Sequence, residues 1–192
     1  MPRLTDPVVA AGGLSRLAQP VLNIDDLVLR PWQREDAPAV VAAYADPNIR
    51  QWHARSMDLD EALAWIETWP LRWQNETDCG WAVAGEGVVL GQISLRGVNL
   101  DAGLSGISYW VMPHARGRRI AARALAAATQ WAFSELGLHR TEILHSTRNL
   151  ASCRVAERAG YVGEGVKRSE ALHADGWHDM HQHARIATDP PA

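Results

Sequence analysis

The segment Tyr109-Trp110-Val111-Met112-Pro113-His114-Ala115-Arg116-Gly117-Arg118-Arg119-Ile120-Ala121 runs from an apolar strand pattern through a basic, glycine-containing loop into an Ala-rich helix. The first turn of a helix leaves backbone N–H groups unpaired and partly positive. Small residues let an anion approach that backbone closely. Three arginines add charge within a chain that is otherwise net negative. The chemistry this favours is anion binding, with phosphate or pyrophosphate as the guest. The competing reading is a solvated basic loop whose glycine only makes a turn, and residue chemistry alone leaves the two even. No GK[ST] follows the glycine, so the loop is not a Walker loop, and it lacks the dinucleotide GxGxxG pattern.

Two other groups invite chemical readings. His178, His181 and His183 lie close together near the end of the chain. In a strand, His181 and His183 share a face and His178 points away. The sequence offers no third ligand on that face, so no metal is expected. Cys153 has no base paired with it in sequence and is read as a small buried hydrophobe rather than a nucleophile.

The elements that must position these residues follow from period and punctuation. Residues 1–22, rich in Pro, Gly and Ala, read as a tail or strap on a single domain spanning 23–192. Leu27–Arg30 reads as a strand, and Glu35–Ala45 as a helix stopped by Asp46-Pro47. Asp58 and Glu61 have capping-box spacing at the head of a second helix, which Pro70 should kink or divide. Strands are expected at Gly80–Ala84, Val88–Arg96 and Ile107–Met112, a helix at Ile120–Leu136, and a strand at Thr141–His145. A helix at Leu150–Ala159 and strands at Tyr161–Val166 and Trp177–Ile186 complete the order. This order gives an α/β (α+β) architecture with a mixed sheet flanked by helices.

Composition excludes several classes. The 192 residues carry 19 Lys plus Arg against 22 Asp plus Glu, a net charge of −3, which argues against a nucleic-acid-backbone binder. Apolar residues make up 47%, too many for a disordered chain. The two cysteines, Cys79 and Cys153, form no CxxC pair and no disulfide framework, so a reducing cytoplasm is the expected setting. Nothing reads as a signal peptide or a membrane span. The unusual count is nine tryptophans against one Phe.

Arg116-Gly117-Arg118-Arg119-Ile120-Ala121 resembles the pyrophosphate loop of GNAT-fold N-acetyltransferases, Q/R-x-x-G-x-G/A, with Arg116 in the first position and Ala121 in the last. Arg119 stands where that family has its middle glycine. The departure is tolerable if φ there is negative, as expected at a helix start. Asn149-Leu150-Ala151-Ser152-Cys153-Arg154-Val155-Ala156-Glu157-Arg158-Ala159-Gly160-Tyr161 resembles the N-x-x-S-x-R-V-x-E-x-x-G-F/Y stretch of the RimJ/RimL-like branch. Leu29-Arg30-Pro31-Trp32 with Glu35-Asp36, and Trp177 with Asp179, match its opening and closing regions, so the likeness spans roughly residues 25–187. It implies a GNAT fold, a mixed and mostly antiparallel central sheet of about six to seven strands flanked by helices. It also implies acetyl-CoA as cosubstrate, no metal, and direct attack of a primary amine on the thioester in a ternary complex.

The resemblance also implies roles. Backbone N–H groups of Trp110, Val111 and Met112 polarise the thioester carbonyl, while Arg116, Gly117, Arg118, Arg119, Ile120 and Ala121 hold the pyrophosphate. Asn149 bonds the pantetheine arm, or caps its helix, or both. The Tyr that many relatives place seven residues after that asparagine is here Ala156, so Ser152 and Tyr109 are the expected catalytic hydroxyls. Gly106 replaces the branch's Glu, which leaves the base to a histidine (His53 or His145), to water, or to an α-amine already partly neutral. Trp65, Trp69 and Trp73, at i, i+4 and i+8, pack a core or wall an apolar acceptor site. With Trp52 in the loop beside His53, the expected acceptor contacts are Trp52, Trp69 and Trp73. The acceptor expected from the branch is a peptide or protein α-amine, with a homodimer possible and no nucleic-acid or membrane partner. A small-molecule amine and a non-catalytic acyl-CoA-binding module stand as alternatives.

Overall fold

The computed structural model describes residues 4–190. The chain opens with a hairpin of β1 (Leu22–Ile24) and β2 (Leu27–Arg30). Three helices follow: α1 (Ala37–Ala45), α2 (Pro47–His53) and α3 (Leu59–Gln74). Then come β3 (Asp78–Gly85), β4 (Val88–Asn99), β5 (Leu104–Val111), α4 (Ile120–Ser134), β6 (Arg140–Ser146), α5 (Leu150–Arg158), β7 (Val162–His173) and β8 (Gly176–Ile186).

The sheet has eight strands in the order β1-β2-β3-β4-β5-β6-β8-β7, one more than the expected six to seven. The added strand is β1, whose first residue falls inside the expected tail. Three residues are too few to leave a periodic signal, and β1 exists by pairing Leu22 with Leu29 and Ile24 with Leu27. Every adjacent pair is antiparallel except β5 with β6, which are parallel and joined through the α4 crossover. Their pairing covers only Leu104–Gly106 against Arg140–Glu142. Beyond Gly106 the two strands separate, and the sheet opens into a cleft at their carboxyl ends.

Two further differences bear on the site. Asp46-Pro47 ends α1 as expected but also starts α2, so Trp52 and His53 lie on a helix and not in a loop. Asp46 is the N-cap, its Oδ1 accepting the Ile49 N–H at 3.0 Å, and proline is well suited to the first helical position. Pro70 does not divide α3, which runs unbroken through Gln74. An interior proline costs about 3 kcal/mol. Its ring lies on the exposed face, while Trp65, Ile66, Trp69 and Trp73 are buried on the other. Each such side chain contributes roughly 1.5–3 kcal/mol on burial, so packing outweighs the lost bond.

Those tryptophans explain the composition. Trp73, Trp81 and Trp131 meet with ring centroids 5.3–6.1 Å apart, and Trp32, Trp65 and Trp69 form a second set. The segment before β1 is laid across this core. Leu14 is fully buried, Trp73 Nε1 donates to the Leu17 carbonyl, and Trp81 Nε1 donates to the Pro20 carbonyl.

Candidate active site

The cleft between β5 and β6 has a volume of about 450 Å³ and is lined by the end of β5, the loop before α4, the head of α4, one face of α5, and α2. Its β5 wall presents backbone donors in a defined way. Met112 N–H bonds the Leu90 carbonyl at 2.8 Å. In an antiparallel ladder alternate residues turn their N–H and C=O to opposite edges, so Trp110 shares the inward direction of Met112, and Tyr109 and Val111 face out. Two contacts agree: the Tyr109 carbonyl accepts from His53 Nε2 at 3.2 Å, and the Val111 carbonyl accepts from Arg116 Nε at 3.3 Å. Of the three expected donors, only Val111 N–H is therefore directed away from β4 into the cleft. Met112 and Trp110 give theirs to the sheet.

Tyr109 Oη and Ser152 Oγ lie 2.7 Å apart across the cleft, and either can donate. Tyr109 Oη also lies 3.3 Å from the Ser152 carbonyl. Burial pushes the Tyr109 hydroxyl up to about 12, so it is protonated at neutral pH. Asn149 Oδ1 caps α5 by accepting the Ser152 N–H at 3.1 Å, which fixes where Ser152 emerges. His53 donates through Nε2 to a carbonyl, so Nδ1 is its basic nitrogen. Burial, reinforced by Arg55, lowers its pKa against the opposing pull of the Tyr109 carbonyl. It is neutral at pH 7 and able to take a proton.

The basic loop has two of its arginines engaged. Arg116 Nη2 lies 2.7 Å from Asp46 Oδ1, and Arg118 faces Asp26 at 3.4 Å, outside the cleft lining. Partial burial pushes Asp46 up, but Arg116 and the Ile49 and Asn48 amides outweigh it and hold the carboxyl below its usual range. Arg119 makes no ion pair among the described residues and lines the cleft with Arg116, Arg154 and Arg158. Sequence reasoning missed Arg154 and Arg158. Their i, i+4 spacing on α5 was the available signal. Gly117 has φ +83°, and a Cβ there would meet no atom within 4 Å, so the loop leaves open space beside the first turn of α4.

Residues 26–162 match the family description "Acetyltransferase (GNAT) domain". The chain belongs to the GNAT acetyltransferase family. Membership makes it an acyltransferase, and among the described residues the sheet has eight strands flanked by five α-helices. It is 25% identical over 153 residues to "Uncharacterized N-acetyltransferase YoaA" of Bacillus subtilis (strain 168), covering 78% of this chain and 86% of that protein. Its fold superimposes on Mycobacterium smegmatis RimJ, solved with CoA-disulfide, at TM-score 0.81 and 24% identity, covering 86% of this chain and 84% of that one. The likeness to RimL, the ribosomal L7/L12 alpha-N-protein acetyltransferase solved with coenzyme A, has TM-score 0.80 at 20% identity, over 87% and 98% of the chains.

Several GNAT-based expectations need correction. Arg119 has φ +57°, the left-handed conformation that suits the family's glycine, and not the negative φ expected. Trp69 and Trp73 are 2% and 3% exposed and belong to the core, so neither walls an acceptor site. Trp69 occupies the space a side chain at Gly80 would need, its ring 2.4 Å from the would-be Cβ. Of the three expected acceptor contacts, only Trp52 lines the cleft. His145 lies outside it, which leaves His53 as the histidine on hand. Cys153 is half-buried and polar in its contacts, not a buried hydrophobe. The face of β8 carrying His181 and His183 does gain further ligand-type groups, from His145 on β6 and Cys153 on α5. His178 stands apart, bonded to Ser146 Oγ and Asp175. Among the described residues no helix is long and apolar enough to cross a membrane.

Proposed function

We propose that the cleft binds acetyl-CoA and that the protein transfers the acetyl group to a primary amine, a peptide or protein α-amine, in the cytoplasm. The observation that carries this reading is the Tyr109–Ser152 hydroxyl pair, set opposite the outward Val111 N–H and beside neutral His53. The residues present fit the cosubstrate. The open space at Gly117, the unpaired N–H groups at Ile120, Ala121 and Ala122, and the Arg119 guanidinium suit a pyrophosphate. Arg154 and Arg158 add positive charge along α5. Asn149, with its Oδ1 spent on the cap, keeps its amide N–H groups for a pantetheine arm.

Bound acetyl-CoA supplies the thioester carbon that the amine attacks. Val111 N–H stabilises the oxygen on which negative charge develops. His53 Nδ1 accepts the proton that the amine loses. Ser152 Oγ–H donates toward the leaving sulfur while Tyr109 Oη–H donates to Ser152 Oγ, a two-hydroxyl relay that the 2.7 Å contact permits. The described residues lining the cleft include no Asp or Glu, which disfavours polycationic acceptors and supports an α-amine. RimL, a fold neighbour, is by its description an alpha-N-protein acetyltransferase, which supports the same acceptor class. The test is incubation with acetyl-CoA and a panel of N-terminally varied peptides, polyamines and aminoglycosides, with each product weighed by mass spectrometry. Acetylation at a peptide α-amine is expected. Acetylated polyamine or aminoglycoside alone would replace the acceptor assignment, and acetyl-CoA binding without any product would make the protein a non-catalytic binder.

A further inference from the structure

We propose that His145, Cys153, His181 and His183 form a binding site for a transition-metal cation of zinc type, separate from the acyl-transfer cleft. The proposal is independent of the acceptor assignment. His145 on β6 is the register partner of His181 on β8, and His183 follows two residues later on the same face. Cys153 descends on them from α5, its Sγ 3.7 Å from His183 Nε2 and 3.9 Å from His181 Nδ1. One ligand atom from each of the four lies within 4.8 Å of all the others. Tetrahedral zinc with bonds of about 2.0–2.3 Å sets its ligand atoms about 3.3–3.8 Å apart, so the cluster needs a contraction of about an ångström at its widest.

The strongest pointer to a ligand is His145. It is 5% exposed, and its Nδ1–H donates to the Ser146 carbonyl at 2.8 Å. That bond fixes the tautomer and leaves a lone pair on Nε2, which is buried without a hydrogen-bond partner. A backbone carbonyl holding one imidazole nitrogen while the other meets a cation is the usual arrangement around metal-bound histidine. Space has been kept for the rings. A Cβ at Gly163 on β7 would come within 3.3 Å of His181 Nε2. Three nitrogens and one sulfur match zinc, cobalt and copper and not the oxygen-seeking cations. On binding, the Cys153 thiol, which donates to Glu157 in the free protein, releases its proton to solvent and ligates as thiolate. The cation ties α5 to β6 and β8. Because Cys153 follows Ser152, the site fixes the helix that presents the cleft's hydroxyl.

The test uses the full tag-free chain under a metal-free reductant, titrated with zinc against a chromophoric chelator and separately with cobalt(II) followed by absorbance. One zinc per chain is expected, with a thiolate-to-cobalt charge-transfer band and the intense visible bands of tetrahedral cobalt. Cys153→Ser should abolish the charge-transfer band and weaken zinc binding at least about tenfold, since losing even a hydrogen-bond partner of a ligand costs that much. His145→Gln should weaken zinc binding at least comparably, and the exposed control His114→Gln should change nothing. Should His145→Gln fail to fold, the half-buried His181→Gln takes its place. Absence of stoichiometric zinc binding, or binding that survives both Cys153→Ser and a histidine replacement, would overturn the site.

Discussion

Arg119 shows what one residue's conformation adds to its type. Its place in the loop is legible from the sequence, because a basic residue preceding Ile120-Ala121 at a helix start is recognisable. Its backbone is not, since φ at an N-cap depends on how the preceding loop arrives. The structure puts φ at +57°, where a side chain costs roughly 1–2 kcal/mol relative to glycine. On the proposed function, the guanidinium, unpaired among the described residues, offsets this strain by meeting the pyrophosphate. Arg119→Gly should therefore raise stability by about 1 kcal/mol in urea unfolding while weakening CoA binding by about 1.5–3 kcal/mol, the range for a hydrogen bond to a charged group. A variant that loses neither strain nor affinity would remove Arg119 from the anion site. Ser152, Tyr109 and His53 were nameable from residue type and motif. Their mutual contact was not, because it joins β5, α2 and α5 across a cleft.

Among the elements, the regular ones were readable and the ones held by tertiary contacts were not. Alternating and 3.6-residue patterns gave β2 to β8 and the long helices to within a few residues at most ends. The chief exception is β7, which runs on to His173 because it follows its partner β8 around the hairpin. The three-residue β1, the short α2 and the unbroken α3 each depend on a partner. So does the segment before β1, whose anchor is Glu76. Its carboxylate accepts N–H bonds from Gly12, Leu14 and Ser15, each at 2.9 Å. Partial burial pushes this carboxyl up, but the amides of Ser15, Gly12 and Leu14 outweigh it and hold the pKa below the usual carboxylate range. A depressed folded-state pKa contributes stability that is present above the ordinary carboxylate value and is lost as pH falls through the folded value. Glu76→Ala should cost about 1–3 kcal/mol at neutral pH, with a smaller cost in acid, measured by chemical unfolding at both pH values. An equal cost at both would show that the carboxylate charge is not what holds the segment.

At the scale of the whole molecule, the proposed function depends on the place where the sheet fails to close. Five strands on one side and three on the other meet through the three register pairs of β5 with β6, and the cleft lies where that pairing ends. The order of elements made a mixed sheet legible, but the opening is a property of register, which periodicity does not report. A ligand seated there contacts both parts through β5, α4 and α5. Acetyl-CoA at about 100 times its Kd should stabilise the fold by about 2.7 kcal/mol and raise Tm by roughly 5–10 °C for a chain of this size. A Tm indifferent to acetyl-CoA would remove the cleft as its site. The most direct test of the central claim is kcat for acetyl transfer to an α-amine peptide by Ser152→Ala beside the unaltered protein. The Tyr109–Ser152 relay predicts a kcat lower by about 100-fold or more, with KM for acetyl-CoA within about twofold. An unchanged kcat would contradict it.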